Sequence, residues 1–242
     1  MRFDILTIFP DIFDSYFSES IIKRAREKKL VEIRVHNIRK FGIGRHKQVD
    51  DHPYGGGAGM VMMALPIVKS VETLLKKAKK PYKLILLSAK GKQFDQEIAY
   101  KWSKKFKNII LISGRYEGID ERVRKILKAE EISVGPYVTT DGDVAAMVIV
   151  SAIARLIPGV IKWESVQDES FFNQLIKAEK NTADEKTLEY PHYTRPEVLR
   201  YKGKAYRAPK VLLSGAHREI KEWRKAHLQS RKLYKQHVYK GA

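Results

Sequence analysis

The feature that most constrains the fold is a regular alternation of short apolar strands with helical segments through the first two thirds of the chain. Stretches rich in Ile, Val and Phe, such as RFDILTIF and VEIRVHNI, are typical of buried strands. Between these two lies SESIIKRAREKK, which has helical spacing and either Ser18 or Ser20 as its expected N-cap. Such alternation favours an α/β fold with a mostly parallel sheet.

The rest of this region continues the pattern. After a glycine-rich loop at 55–59 we expect a helix from about Leu65 to Lys80 and, after Pro81, a short buried strand, YKLILLS. The further predicted elements are the helix FDQEIAYKWSKKF, the strand NIILIS, the helix GIDERVRKIL, the strand EISVG and a helix over 143–156.

The pattern changes after RLIPGV, which predicts a division of the chain. We expect a main domain over residues 1–160, a polar linker over 161–190 and a small, basic, helical domain over 191–242. In the last of these, Ile220, Trp223, Leu228 and Leu233 have the spacing of inward-facing anchors on a helix.

The charge balance narrows the class of partner. The chain carries a formal net charge of +19, and from Arg195 to the end fourteen Lys/Arg stand against three Asp/Glu. Such an excess of positive charge usually binds a polyanion. Nucleic acid is the leading candidate, and an anionic membrane surface is the rival. A lysine-rich composition with no specific partner remains the alternative.

Several classes of site are excluded by the sequence. There is no cysteine, so disulfides and thiolate metal sites are absent, and a reducing cytoplasm is compatible with this. The sequence contains no G-x-G-x-x-G motif, no P-loop, no H-E-x-x-H motif and no cluster with metal-ligand spacing. We therefore predict no metal held by the protein. The amino-terminal residues do not resemble a signal peptide, and the longest apolar run, residues 144–154, is too short to span a bilayer.

Three loops that follow predicted strands are candidates for a ligand site. They are LLSAKGKQF, ISGRYEGIDERV and SVGPYVTTDGD, and their glycines either permit close approach to a ligand or form ordinary turns. Ligands of open α/β sheets bind at the carboxyl ends of the strands. A fourth loop, VDDHPYGGGAGMVM, is also expected to contact a ligand or partner.

Taken together, these loops resemble the bacterial tRNA (guanine-37-N1)-methyltransferase family, TrmD, of the SPOUT superfamily. The resemblance spans nearly the whole chain, and its most specific segments are GRYEGIDERV and PHYTRPE. It implies an α/β domain with a deep trefoil knot and a homodimer whose active site lies at the subunit interface. It also implies S-adenosylmethionine as methyl donor, tRNA with G37 as substrate, a magnesium requirement and no membrane partner.

The resemblance carries over to particular residues. Those implied to bind the donor are Leu86, Leu87, Ser88, Gly91, Gly114, Tyr116, Glu117, Gly118, Ser133, Val134, Gly135, Pro136, Tyr137, Val138 and Thr139. Those implied to contact tRNA are Asp50, Gly59, Arg115, Arg195, His217, Arg218 and Arg224.

The implied chemistry needs a base and a cation. Guanine N1 must lose its proton before it attacks the sulfonium methyl group, and a carboxylate within hydrogen-bond reach can accept that proton. A fixed guanidinium, implied to be Arg155, would stabilise the charge that develops on O6. The base is Glu169 in strict register with the family and Asp168 after a one-residue slip, both within VQDESFF.

Departures from the family pattern leave a second hypothesis open. Pro136 stands where Asp is usual and Asp141 where Gly is usual, and Pro136 has no backbone N–H to offer a ligand. The alternative to an active methyltransferase is therefore a non-catalytic tRNA-binding or assembly protein of the same fold. Methylation of a different RNA is a third possibility.

Overall fold

The computed structural model describes residues 1–167, 171 and 187–230. The chain divides into two units, Met1–Trp163 and Glu164–Ala242. Within the described residues no helix is long and apolar enough to cross a membrane.

The first unit alternates strands and helices as its sequence predicts. Its strands are β1 (Arg2–Thr7), β2 (Glu32–Asn37), β3 (Asp50–Asp51), β4 (Val61–Met62), β5 (Tyr82–Gln93), β6 (Asn108–Ile112) and β7 (Glu130–Ser133). Its helices are α1 (Asp14–Phe17), α2 (Ser20–Glu27), α3 (Ala64–Leu75), α4 (Gln96–Lys105), α5 (Glu121–Leu127) and α6 (Gly142–Ala154), and 3₁₀ helices cover Pro10–Phe13 and Ile38–Phe41. Helix α7 (Trp163–Gln167) begins at the last residue of this unit.

The central sheet has five strands in the order β2-β1-β6-β5-β7, and every pairing is parallel. This confirms the predicted α/β class with a mostly parallel sheet. All five residues of β6, the middle strand, are buried. A parallel sheet has helices on both faces, so its strands are continuous apolar runs rather than alternating ones.

The core lies on both sides of this sheet. On one face, strand residues such as Leu6 and Ile110 pack with Ile67 and Val71 of α3 and with Val123 of α5. Neighbouring strand residues point to the opposite face. Helix α6 contacts β1, β5 and α4. Because helices cover both faces of the sheet, a ligand site can form only among the loops at the strand ends.

A buried charged cluster joins three strands of the sheet. The Asp4 carboxylate, which is 0% exposed, accepts hydrogen bonds from Arg2 (2.8 Å) and Asn108 (2.9 Å) and lies 2.7 Å from Nε2 of His36. Burial alone would raise the pKa of Asp4. The hydrogen bonds with His36, Arg2 and Asn108 outweigh burial and hold the pKa of Asp4 below its ordinary value.

Three predicted boundaries are wrong. Helix α3 ends at Leu75 rather than near Lys80, where a lysine-rich segment precedes Pro81; the residue before a proline avoids the helical region. Residue Glu19, not Ser18 or Ser20, occupies the N-cap of α2, and no side-chain cap bond forms there.

Strand β5 also extends beyond its predicted end. It continues to Gln93, but its pairing with β7 shifts register between Leu87 and Lys92. Ile132 of β7 pairs with both of these residues, so residues 88–91 leave the ladder as a bulge. A segment that the sequence predicts to be an open loop is therefore held at both ends by the same strand.

The second unit contains strands as well as helices in its described part. These elements are β8 (Thr187–Leu188), β9 (Val198–Tyr201), β10 (Lys204–Arg207), α8 (Lys210–Leu213), α9 (His217–Ala226) and β11 (Gln229–Ser230). Strands β9 and β10 form an antiparallel hairpin, so the prediction of a helical basic domain is not confirmed. Of the predicted anchors, Ile220 and Trp223 are half-buried, Leu228 is exposed and Leu233 lies outside the described residues.

Candidate donor-binding site

The bulge in β5 and the loops that follow β6 and β7 meet at the carboxyl edge of the sheet and line a cavity of about 410 Å³. Parallel strands bring these ends together, and ligands of open α/β sheets bind there. The wall consists of residues 86–90, residues 114–121 with Arg124, and residues 131–134 and 137–142 with Ala145. Its size suits a nucleoside-sized ligand.

Most residues predicted to bind the methyl donor lie in this wall. The structure brings together Leu86, Leu87, Ser88, Gly114, Tyr116, Glu117, Gly118, Ser133, Val134, Tyr137, Val138 and Thr139. Gly91, Gly135 and Pro136 do not line the cavity. Pro136 is exposed, so its missing N–H removes no donor from the wall.

Two of the predicted glycines support the wall from behind. A Cβ on Gly91 would lie 2.5 Å from the backbone N of Ile132, so only glycine allows the bulge to pack this closely on β7. A Cβ on Gly135 would lie 2.2 Å from Cε1 of Tyr137, whose ring covers it. Both glycines therefore shape the cavity without facing it.

An ion-paired cluster stands where the β6 loop meets the amino end of α6. The Asp141 carboxylate caps α6 by accepting from the backbone N–H groups of Asp143 (2.8 Å) and Val144 (3.3 Å). Nη2 of Arg115 lies 2.9 Å from Asp143 and 3.2 Å from Asp141. The same guanidinium lies over the Phe9 ring, 4.3 Å from its centroid. Arg115, predicted to contact tRNA, therefore has a fixed position beside the cavity.

Charged residues also line the opposite rim, at the start of α5. The Asp120 side chain caps this helix and pairs with Arg122, whose hydrogen bonds hold the pKa of Asp120 below its ordinary value. In the same way, Arg124 lowers the pKa of Glu121. These carboxylates are ionised at neutral pH, and each is paired with an arginine.

The glycine-rich loop lies against the β6 loop. The backbone N–H of Glu117 donates to Met60 O, and that of Met62 donates to Gly118 O. Gly59 has a φ of +81°, and a Cβ there would lie 2.5 Å from Oε1 of Glu117. Asp50, in β3, pairs with Met62 of β4. Neither Asp50 nor Gly59 lines the cavity, but the loop that holds Gly59 touches its wall.

The residues predicted to perform the chemistry are placed only in part. Arg155 is half-buried and directly follows α6, the helix whose amino end borders the cavity. Asp168 and Glu169, the two candidates for the base, lie outside the described residues.

The residues of the second unit that are predicted to contact tRNA are all exposed. They are Arg195, His217, Arg218 and Arg224, and Arg218 pairs with Glu222 at 3.2 Å. The guanidinium of Arg224 lies over the Tyr190 ring, 5.0 Å from its centroid.

Sequence reasoning missed some residues of the wall, above all Asp141, which it noted only as a departure. The Asp-Gly-Asp order before an apolar helical run is an N-cap signal that could have identified it. As for metals, no group of three or more His, Asp or Glu side chains suited to an ion occurs in residues 1–167, 171 and 187–230.

The fold and the cavity define a ligand-binding α/β protein whose site lies at the carboxyl edge of a parallel sheet. Comparison with known families is more specific. A family model described as tRNA (Guanine-1)-methyltransferase TrmD matches residues 1–240. The chain therefore belongs to this family, which confirms the resemblance found in the sequence.

Individual relatives agree with this assignment. A protein of Thermomicrobium roseum named tRNA (guanine-N(1)-)-methyltransferase is 48% identical over 225 residues, which cover 93% of this chain and 78% of the relative. Proteins of the same name are 48% identical in Carboxydothermus hydrogenoformans and 45% identical in Clostridioides difficile. Each match covers 93% of this chain, with 81% and 91% of the relatives covered.

Proposed function

We propose that this protein is an enzyme that transfers the methyl group of S-adenosylmethionine to N1 of guanosine 37 in tRNA. Family membership along almost the whole chain supports the reaction. The observation that carries the donor assignment is the cavity of about 410 Å³, in which the three loops expected to hold the donor form one wall.

The wall has the chemistry that a nucleoside requires. It combines apolar side chains such as Leu86 and Ile132 with hydroxyl groups of Ser88 and Thr139. Glycines at the loop turns let backbone groups approach a ligand closely. A purine can therefore lie against apolar surface while its polar edge meets main-chain groups.

In the proposed reaction, the carboxylate of Glu169 or Asp168 accepts the proton of guanine N1. The N1 lone pair then attacks the methyl carbon, the N1–CH₃ bond forms, the S–CH₃ bond breaks, and the neutral thioether S-adenosylhomocysteine leaves. Arg155 stabilises the negative charge that develops on guanine O6. The target base must leave its stack to reach the donor.

The choice of base has a direct test. If strict register with the family holds, Glu169→Gln abolishes methylation and Asp168→Asn does not. The opposite pair of results would assign the proton transfer to Asp168.

We further propose a homodimer with the active site at the subunit interface. In its support, the first unit carries an exposed apolar face next to α6, formed by Phe9, Ile12, Tyr16, Val144 and Val148. The Tyr16 hydroxyl donates to Ser151 of α6 at 2.8 Å, which joins the two parts of this face. A group of exposed apolar side chains on one face commonly marks an interaction site.

This interface has its own test. Light scattering should give twice the chain mass for the native protein, and Val148→Lys should give monomers with lower activity. A native monomer that methylates tRNA would contradict the dimer.

The remaining expectations of the family are part of the proposal. They are the trefoil knot, which membership of the family supports, a basic unit that binds tRNA, which its net positive charge supports, and a cytoplasmic location. Since the described residues offer no cluster of metal ligands, we propose no step through magnesium.

The test is incubation with labelled S-adenosylmethionine and a tRNA that carries G36–G37. Label at guanine N1 supports the proposal. A non-catalytic tRNA-binding protein would instead bind tRNA in a salt-sensitive way and show no donor binding by calorimetry. Label on another RNA alone would indicate a different substrate.

A further inference from the structure

Asp141 is the junction between three parts of the cavity wall. Its Oδ1 accepts from the backbone N–H groups of Asp143 and Val144 at the start of α6. Its Oδ2 accepts from the Thr140 hydroxyl at 3.1 Å and lies 3.2 Å from Nη2 of Arg115. The Thr139 hydroxyl donates to the Asp141 backbone oxygen at 2.6 Å. One residue thus binds helix α6, its own loop and the β6 loop.

The surroundings make these contacts effective. The Asp141 side chain is only 6% exposed and that of Arg115 only 21%, so water screens their attraction poorly. Asp143, which is 0% exposed, provides the second anion for Arg115. The Arg115 side chain is fixed further by the Phe9 ring beneath it.

We propose that Asp141 is a positioning residue for the methyl donor, because it holds the cavity-lining loop at 137–140 and Arg115 in one arrangement. Both oxygens of its carboxylate are occupied by protein donors, so it acts through these neighbours rather than by contact with the donor. The inference rests on the proposed function, in that it takes S-adenosylmethionine as the ligand of this cavity.

Loss of the side chain should weaken donor binding. Asp141→Ala frees the loop from α6 and leaves Arg115 with one carboxylate, so part of the binding free energy must reorder the wall. A lost helix cap together with a partly buried ion pair corresponds to a rise of about tenfold in the donor Kd.

The chain offers a matched control in α4. Asp95 caps that helix with a single hydrogen bond, accepting from the Ile98 backbone N–H at 2.8 Å, and it does not line the cavity. Asp95→Ala therefore removes a helix cap without changing a residue of the cavity wall. Asp141→Ala should lower the melting temperature at least as much as Asp95→Ala, because it also removes the ion pair with Arg115.

A third variant separates the cap from the ion pair. Asn caps helices as well as Asp does. Asp141→Asn therefore keeps the bonds from Asp143 and Val144, but it replaces the oxygen that faces Arg115 with an amide. It should melt near the native temperature and raise the donor Kd by about threefold, because only the pair with Asp141 is lost and Arg115 keeps Asp143 as its second partner.

The experiment measures S-adenosylmethionine binding by calorimetry and steady-state kinetics on full-length protein. In Asp141→Ala we expect the Kd and the KM for the donor to rise about tenfold while the KM for tRNA stays within about twofold, the split expected when the wall of the donor site alone is disturbed. In Asp95→Ala we expect a donor Kd within about twofold of the native value, since Asp95 is not part of the cavity wall.

Two results would overturn the inference. One is a donor Kd in Asp141→Ala within twofold of the native value, and the other is an equal rise in Asp95→Ala. Either result can be obtained while the native protein still binds the donor and methylates tRNA. Failure of the proposed function is different, because the native protein itself would then show no donor binding.

Discussion

Replacement of Asp4 by Asn is the strongest test of whether the buried Asp4 carboxylate stabilises the sheet. The Asp4 carboxylate is fully buried and joins β1, β2 and β6 through Arg2, His36 and Asn108. Arg2 is itself only 4% exposed, so water cannot solvate its guanidinium when the Asp4 charge is removed. The substitution keeps the shape of the side chain and removes its charge.

The expected cost is large. Removal of one partner from a buried ion pair costs about 3–5 kcal/mol, mostly because the other charge is left buried and uncompensated. In a domain of this size, 1 kcal/mol lowers the melting temperature by roughly 2–4 °C. Asp4→Asn should therefore melt roughly 6–20 °C below the native protein.

Urea denaturation at pH 7 measures this cost, with Asp11→Asn as the control. Asp11 is exposed, and its replacement should change the free energy of unfolding by no more than about 0.5 kcal/mol. A cost below about 1 kcal/mol for Asp4→Asn would refute the claim that the carboxylate holds the three strands together.

The pH dependence gives an independent check. Because the pKa of Asp4 is lowered in the folded protein, ionised Asp4 contributes stability above its unfolded pKa of about 3.9, and this is lost as the pH falls through the lower folded value. The difference in unfolding free energy between native protein and Asp4→Asn should therefore narrow below about pH 4. A difference that is constant from pH 7 to pH 3 would contradict the assignment.

Three further predictions follow from the site and from the basic unit. Gly91→Ala places a methyl group 2.5 Å from the Ile132 backbone, so it should disrupt the β5–β7 contact and weaken donor binding in calorimetry. An unchanged Kd would show that the bulge does not shape the cavity. Arg155→Lys should lower kcat with little change in donor Kd, because lysine cannot present two parallel N–H groups to guanine O6. Single-turnover kinetics measures this change, and a native rate would exclude Arg155 from stabilising charge on O6. Arg218→Gln should reduce the slope of log K for tRNA against log salt by about one if Arg218 contacts a phosphate, and an unchanged slope would place it outside the interface.

The sequence predicts the middle of the sheet well because β6 and the first half of β5 are continuous apolar runs. Residues Ile109 to Ile112 can only be buried, and the glycine-rich loops after such runs indicate a ligand site at the carboxyl edge. Local composition therefore contains most of the information about this part of the fold.

The errors arise where a long-range contact decides the structure. Nothing local to SAKGKQ shows that Ile132 pairs on both sides of it, so the strand is predicted too short. Likewise, the Asp141 contact to Arg115 joins residues far apart in sequence. The role of Asp4 depends on His36 and Asn108, which only the completed sheet brings to it.

The most direct test of the central claim is the position of the transferred methyl group. The native protein is incubated with labelled S-adenosylmethionine and matched tRNAs that carry either guanosine or adenosine at position 37, with an active homologue run alongside. We expect label at N1 of guanosine 37 and none in the adenosine tRNA. A chain that binds tRNA but leaves guanosine 37 unlabelled, while the homologue labels it, would contradict the claim.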